Sequence, residues 1–346
     1  MVRNPMSERR QSPFRFETAV LLLAVLTLTA ACGWSGWDTK MTTVIPKSDF
    51  GKLTHGVFML ISWWTLWIFI LVEAALLFAV WRFRERPGAP IPKQIHGHTA
   101  LEISWTVAFA VILLIIGIPT IRVIFKTQEA PAATALRVDV TGRQWWWEFK
   151  YPALNVATAN EAHIPVGQTI AFHLNGPDVI HSFWVPQLGG KRDVIPGRVN
   201  RLVLTPDTPG EYIGQCAEYC GTSHANMRFR VIVHSKEDFE RWVAGQQAPA
   251  AEPKEPLAQK GKELFGQSAC VGCHTIAGIS AGVLGPNLTH FGSRKTFAGG
   301  MMPSTAENLV TWIENPGGMK AGVLMPNLGM KGEQSQALAA YLLSLK

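Results

Sequence analysis

Charge is scarce in this chain: 16% of its 346 residues are Asp, Glu, Lys or Arg, where a soluble globular protein usually carries about a quarter. That shortage, beside 47% hydrophobic residues, excludes a disordered tail or a nucleic-acid-binding arm. Acids are the scarcer sign, 25 against 32 Lys and Arg, leaving +7. In a membrane protein such an excess belongs to loops on the cytoplasmic side rather than to a polyanionic partner, so no nucleic acid is expected. Cysteine is scarce as well. Five occur, Cys32 alone and Cys216, Cys220, Cys270 and Cys273 as two close pairs, a spacing that suits metal or haem chemistry and not a disulfide framework. The length allows two or three domains besides spanning segments.

Long apolar runs are what the chain does have. Residues 1–31 join a basic front (Arg3, Arg9, Arg10, Arg15) to an apolar run over 19–28 and then to Thr29-Ala-Ala-Cys32, which reads as an export signal too short to span a bilayer. Small residues before Cys32 resemble a lipoprotein cleavage box, although Thr29 stands where Leu is usual. Lipidation at Cys32, an ordinary signal and an uncleaved anchor all stay open. Val57 to Trp81 holds Glu73 as its sole charge, and Ile103 to Ile121 holds none; each is long enough to span. Arg82, Arg84, Arg86 and Lys93 against Glu85 place the joining segment in the cytoplasm, so everything after the second span lies outside. The Trp residues at 63, 64, 67, 81 and 105 suit membrane segments and their interfaces and need no cofactor. Glu73 reads equally as a helix-pairing, snorkelling or proton-handling carboxylate.

Residues 136–235 alternate short strand-like runs with turns, and period-two patterning is clearest where Met227, Phe229, Val231 and Val233 alternate with Arg228, Arg230, Ile232 and His234. An antiparallel β-sandwich or barrel is expected. Inside it lies Cys216-Ala-Glu218-Tyr-Cys220-Gly-Thr-Ser-His224-Ala-Asn-Met227, with His181 upstream at the start of a strand. Two thiolates, two imidazoles and a thioether suit a soft, redox-active metal with a weak axial Met. A structural zinc site would leave Met227 without a use, and a Cys216–Cys220 disulfide is the other alternative.

This loop, together with Asp178-Val-Ile-His181, Lys191-Arg-Asp193-Val-Ile-Pro-Gly-Arg198, Gly142-Arg-Gln-Trp145-Trp-Trp and Leu101-Glu102-Ile-Ser-Trp105-Thr, resembles subunit II of haem-copper cytochrome c oxidases over about residues 50–240. The resemblance implies a cupredoxin-like barrel with a dinuclear copper centre, CuA. In it Cys216 and Cys220 bridge the ions, His181 and His224 terminate them, and Met227 and the Glu218 carbonyl are weak ligands. It further implies that the Glu218 carboxylate binds magnesium shared with subunit I, that electrons enter at Trp145, and that Glu102 lies near a proton path. On the residues alone, Trp145 to Trp147 read as well as a buried aromatic cluster, and Asp178 and Asp193 as loop carboxylates.

Residues 245–256 (GQQAPAAEPKEP) have the composition of an extended linker, so two tethered modules are expected. Beyond it stands Cys270-Val-Gly-Cys273-His274, the attachment signature of a covalent c-type haem: two thiols form thioethers and the adjacent His ligates iron. With Gly285-Pro286-Asn-Leu and a C-terminal helical pattern, residues 257–346 resemble an all-α class I cytochrome c. That implies Pro286 orienting His274, and a sixth ligand from the loop before the last helix. Met325-Pro326 fits better than Met302-Pro303, which precedes another helix; Met319 and Met330 read as packing residues.

The expected divisions are a signal (1–31), a two-helix transmembrane hairpin (32–128), the copper domain (129–244), the linker, and the haem domain. Residues 130–245 carry 11 basic and 11 acidic side chains, so no acidic excess steers a free basic donor, and a tether makes such steering unnecessary. The 10 His residues all lie outside both apolar runs, so the oxygen-reducing site is not in this chain. The reading is subunit II of a caa3-type oxidase in a bacterial cell membrane, both redox domains outside. It would partner subunits I and III and an upstream cytochrome c or bc1-type donor, passing electrons from haem c to CuA and on to haem a. A CuA-type nitric oxide reductase and a free-standing membrane-anchored carrier are the rivals; a quinol oxidase subunit II would lack the copper ligands.

Overall fold

The computed structural model describes residues 39–346 except Ala89; the expected export signal and Cys32 lie outside the described residues. Two helices come first, α1 (Asp49–Arg82) and α2 (Thr99–Thr127), with mean hydropathy of 2.0 and 2.6 in their most apolar windows. At 34 and 29 residues both exceed the roughly 20 needed to cross a bilayer. Their outward faces carry Trp63, Phe69, Leu77, Leu113 and Phe125 exposed, which water would penalise and lipid would not. Polar ends extend both helices beyond the apolar runs. Ser48 caps α1 by accepting from Gly51 N, and Asp49 and Lys52 tie that end to Thr205 and Asp207 of the following domain.

The second unit is a sandwich of two five-stranded sheets. One runs β3 (Val156–Ala159), β2 (Trp146–Tyr151), β1 (Leu136–Arg143), β5 (Ile170–Asn175), β8 (Asn200–Leu204). The other runs β4 (Glu161–Pro165), β10 (Arg228–His234), β9 (Gly210–Cys216), β6 (His181–Trp184), β7 (Arg192–Val194). The expectation of wholly antiparallel pairing is corrected: β1 and β5 pair in parallel, as do β4 and β10. The reason is the crossing of the chain between sheets after β3, which brings β5 back alongside β1 in the same direction. Alternating residues of β10 place Phe229, Val231 and Val233 inside, where Phe229 stacks on Phe183 at 4.6 Å and Trp147 packs edge-on to Phe183 at 5.6 Å. This aromatic centre fills the space beneath the Cys216–Met227 loop.

Helix α3 (Lys236–Gln247), capped by Ser235, leaves the sandwich and covers its side, so the first residues of the expected linker are helical. The third unit holds α4 (Pro256–Gln267), the turn α5 (Cys270–Cys273), α6 (Ala306–Glu314), α7 (Pro316–Met319) and α8 (Glu333–Ser344). Phe265 of α4 and Tyr341 of α8 cross at 6.0 Å between ring centres, with Leu309, Ile313, Leu338 and Leu342 completing one apolar core.

Candidate metal and haem centres

Strand β9 ends at Cys216 and β10 begins after Met227, so the loop between them is pinned at both ends: Cys216 N donates to the Met227 carbonyl at 2.9 Å. Within that closed loop the Sγ atoms of Cys216 and Cys220 stand 3.7 Å apart. His181 Nδ1 is 3.9 Å from Cys216 Sγ, and His224 Nδ1 is 3.5 Å from Cys220 Sγ. Met227 Sδ lies 3.8 Å from Cys220 Sγ, and the Glu218 carbonyl oxygen 3.2 Å from Cys216 Sγ. Cys216, Cys220, His181 and Met227 are all buried. All the donors singled out in the sequence thus converge. Two adjacent thiols flanked by an imidazole on each side form a donor set for a soft metal, with two sulfurs placed to be shared.

The two thiols share one proton unequally, and only Cys216 is pushed towards its thiolate. The Cys220 thiol bonding to the Cys216 sulfur, with His181 assisting, holds Cys216 far below an ordinary thiol against the opposing effect of burial. The same bond, together with burial, pushes Cys220 up. Burial alone would lower His181, but its bonds to Cys216 and Asp178 outweigh that and raise it. Asp178 Oδ1 accepts from His181 Nε2 at 2.9 Å and its Oδ2 accepts from Gln144 N at 2.7 Å. This leaves Nδ1 facing the sulfurs, the carboxylate–histidine arrangement that orients a metal ligand. Asp178 is therefore more than a loop carboxylate, and its place three residues before His181 was the signal available. Asp193 makes no comparable contact; its carbonyl only accepts from Asn200.

In the third unit His274 Nδ1 lies 2.8 Å from the Pro286 carbonyl, which leaves Nε2 free. Burial lowers the His274 pKa against the effect of that bond, so the imidazole is neutral and able to bind a metal. Gly285 is needed for the approach, since a Cβ there would stand 2.6 Å from His274 Cε1. Cys270, His274 and Met325 line a small apolar pocket, and Cys273, His274 and Met325 line a larger cavity of about 460 Å³ that shares residues with it. Met302 instead lies in a short strand pair with Phe297. Trp312 Nε1 donates to Met325 Sδ at 3.2 Å, a positioning contact that no motif in the sequence announces. An apolar cavity with two thiols and an imidazole on one wall and a thioether on another fits a haem held by thioethers.

The two units are in contact, which the linker composition did not foretell. The wide cavity is also lined by Arg143, Gln144, Trp145 and Trp146 of the copper domain. Trp145 is buried; its Nε1 donates to the Cys220 carbonyl at 2.9 Å, and a Cβ on Gly322 would stand 2.8 Å from its Cη2. Trp147, by contrast, belongs to the aromatic core. Glu218 is exposed beside the loop. Glu102 sits in the first turn of α2, accepting from His98 N at 3.2 Å, and Glu73 lies in the last third of α1.

Fold and donor sets define a membrane-anchored electron-transfer protein with a cupredoxin-like copper module and a cytochrome c module. Comparison with known proteins narrows this. Residues 47–123 match the family "Cytochrome C oxidase subunit II, transmembrane domain", 153–235 match "Cytochrome C oxidase subunit II, periplasmic domain", and 258–346 match "Cytochrome c". Cytochrome c oxidase subunit 2 of Alkalihalophilus pseudofirmus is 38% identical over 316 residues, 89% of this chain and 92% of that protein. Its counterpart in Bacillus subtilis is 32% identical over 94% of this chain and 97% of that protein. The solved periplasmic domain of subunit II from Bradyrhizobium japonicum is 32% identical, covering 34% of this chain and 97% of that one, with a TM-score of 0.33. The chain belongs to the cytochrome c oxidase subunit II family, in the form that carries a C-terminal cytochrome c domain. It is a membrane-anchored subunit of a haem-copper oxidase complex.

Proposed function

We propose that this subunit carries electrons from an outside donor to subunit I of a caa3-type oxidase, both its redox modules facing the periplasm or cell exterior. Cys216, Cys220, His181 and His224, with Met227 and the Glu218 carbonyl, would hold two copper ions. Cys270 and Cys273 would hold a covalent haem, with His274 and Met325 supplying donors to its iron. When bound, these groups supply one-electron redox chemistry. The observation that carries the reading is that a single cavity is lined by His274 and Met325 on one side and Trp145 on the other, while Trp145 hydrogen-bonds the Cys220 carbonyl.

The chain's own residues do the positioning. The pinned β9–β10 loop and the Asp178–His181 bond keep the copper donors in fixed relation, so little rearrangement accompanies a change of charge. The apolar cavity walls exclude water. Trp145 bridges the modules as a rigid aromatic spacer, and its role as the point where electrons enter the copper module fits a donor that is already docked. The Glu218 carboxylate, exposed within the loop, would share magnesium with subunit I. Glu102, in the first turn of α2 next to the basic segment expected in the cytoplasm, would serve a proton path to subunit I, where oxygen reduction and proton translocation would occur.

Purification in mild detergent tests this. The expected result is co-isolation with subunits I and III, two coppers and one covalent haem per subunit II, and haem c oxidation by oxygen. Isolation of the chain alone would indicate a free carrier. Nitric oxide turnover without oxygen turnover would indicate a reductase of the other kind.

A further inference from the structure

Two buried ionisable side chains cross the interface between the copper and haem modules, one sent from each side into the other. Lys320, which follows α7 of the haem module, is 2% exposed. Its Nζ donates to the carbonyls of Trp145 at 2.6 Å and Asn226 at 2.9 Å in the copper module, and to Ala298 at 2.9 Å in its own. All three ammonium protons are satisfied. In return Glu161, on β4 of the copper module and 1% exposed, reaches into the haem module. Its Oε1 accepts from Lys295 N and Thr296 N, each at 2.9 Å, and from Thr296 Oγ1 at 3.2 Å. Ser223 Oγ donating to the Ala321 carbonyl at 2.5 Å and Arg228 N donating to the Gly299 carbonyl at 2.8 Å fill the space between them.

Resting on the functional reading above, we infer that Lys320 and Glu161 form a reciprocal lock that holds the haem module in one register against Trp145, making the two modules a single docked unit whose linker is not what keeps them together. Both are positioning residues. A buried ionisable group is tolerated where it is hydrogen-bonded: Lys320 meets three backbone carbonyls, and Glu161 Oε1 meets two backbone N–H groups and the Thr296 hydroxyl, while burial lowers the Lys320 pKa to about 7 and raises that of Glu161. Two such groups, on different faces of the interface, specify the register in a way that an apolar contact would not. The lock also closes on the residue that matters for transfer: Lys320 holds the carbonyl of Trp145 while the indole of the same residue holds Cys220. A haem module shifted out of this register would leave the Trp145 and Asn226 carbonyls without Lys320 and the Glu161 carboxylate buried without donors, each a costly state.

The test uses the assembled oxidase with a protease site introduced between Gln247 and Pro253. Haem c and copper spectra are recorded first; their absence in the parent protein would refute the functional reading and is thereby distinguished from failure of the lock. With both spectra present, the linker is cut and the complex is passed through a sizing column. The expected result is that the cut parent keeps its haem module at micromolar concentration. Lys320→Met and Glu161→Ala, with unchanged spectra, should weaken retention about tenfold or more, the factor that about 1.4 kcal/mol of docking would produce. Glu161→Gln, which keeps an oxygen acceptor, should recover much of the loss relative to Glu161→Ala. In the uncut enzyme, haem c to copper transfer after a light-triggered electron pulse should slow in Lys320→Met without any change in either absorption spectrum. Release of the module from the cut parent, or equal retention in parent and both variants, would overturn the proposal.

Discussion

The copper and haem sites are built on opposite plans. In the copper module the donors are brought together by the fold itself: a loop pinned between β9 and β10, two sulfurs 3.7 Å apart, and His181 fixed by Asp178. In the haem module the candidate ligands line a cavity of about 460 Å³ that is shared with the copper module. One module brings its donors into contact with one another; the other spreads them round a cavity beside its own core.

The largest effect expected from that contrast is on folding. Cys270→Ala combined with Cys273→Ala should leave the haem module open to proteolysis in the otherwise assembled chain, whereas Cys216→Ser should abolish the copper spectrum and leave the sandwich resistant. Equal protease resistance of the two variants would break the contrast. Met325→Ala should come next. Haem stays attached through Cys270 and Cys273, but the sulfur-to-iron charge-transfer band disappears and the potential shifts; loss of that band in Met302→Ala instead would reassign the ligand. Asp178→Asn should be milder, because it frees His181 without removing it. Copper affinity should fall about 10- to 100-fold, as for other residues that orient a ligand, measured by competition with a chelator, with sandwich stability little changed.

The smallest effect concerns pH. His163 Nδ1 and His234 Nε2 lie 2.8 Å apart, and Trp242 of α3 stacks on His163 at 4.3 Å. Burial lowers the pKa of both imidazoles, that of His163 further. Because the folded pKa values are depressed, the unfolded state binds more protons in acid, and stability is full above about 6.5, the ordinary histidine value. It should decline as pH falls below that value and through the folded ones, by at most about 1.4 kcal/mol per pH unit for each imidazole. Hydrogen exchange in α3 should accelerate over that range while exchange in β1 and β5 does not.

How much of this was legible beforehand depended on whether the information is local. The Cys216–Met227 loop, the Cys270–His274 turn and the Pro286 contact could be read because their donors sit a few residues apart, and spacing alone brings them together. The two apolar helices were legible from composition, and strand β10 from its alternation. Strands β3, β4 and β7 do not stand out in the sequence, and length alone is not the reason, since β6 and β8 are as short. The parallel pairings depend on a crossover that leaves no local trace. Lys320, Glu161 and Trp312 could not be recognised either: a lone charge in a polar loop reads as solvated until its distant partners are known. Composition gave the linker as an extended tether, yet tether or not, it says nothing about whether the faces it joins are complementary.

The measurement that bears most directly on the account is the rate of haem c oxidation by the copper centre in the intact oxidase across salt concentration. Between about 0.01 and 1 M the Debye length falls from about 30 to about 3 Å, enough to abolish steering between separate exposed charges but not to reach a buried lock at Trp145. The rate should stay level over that range, and truncation after Gln246 should leave the copper spectrum intact while turnover through haem c is lost. A rate that falls steeply with salt, or a truncated enzyme that runs at full speed on ordinary soluble cytochrome, would contradict the docked arrangement and make the haem module an accessory.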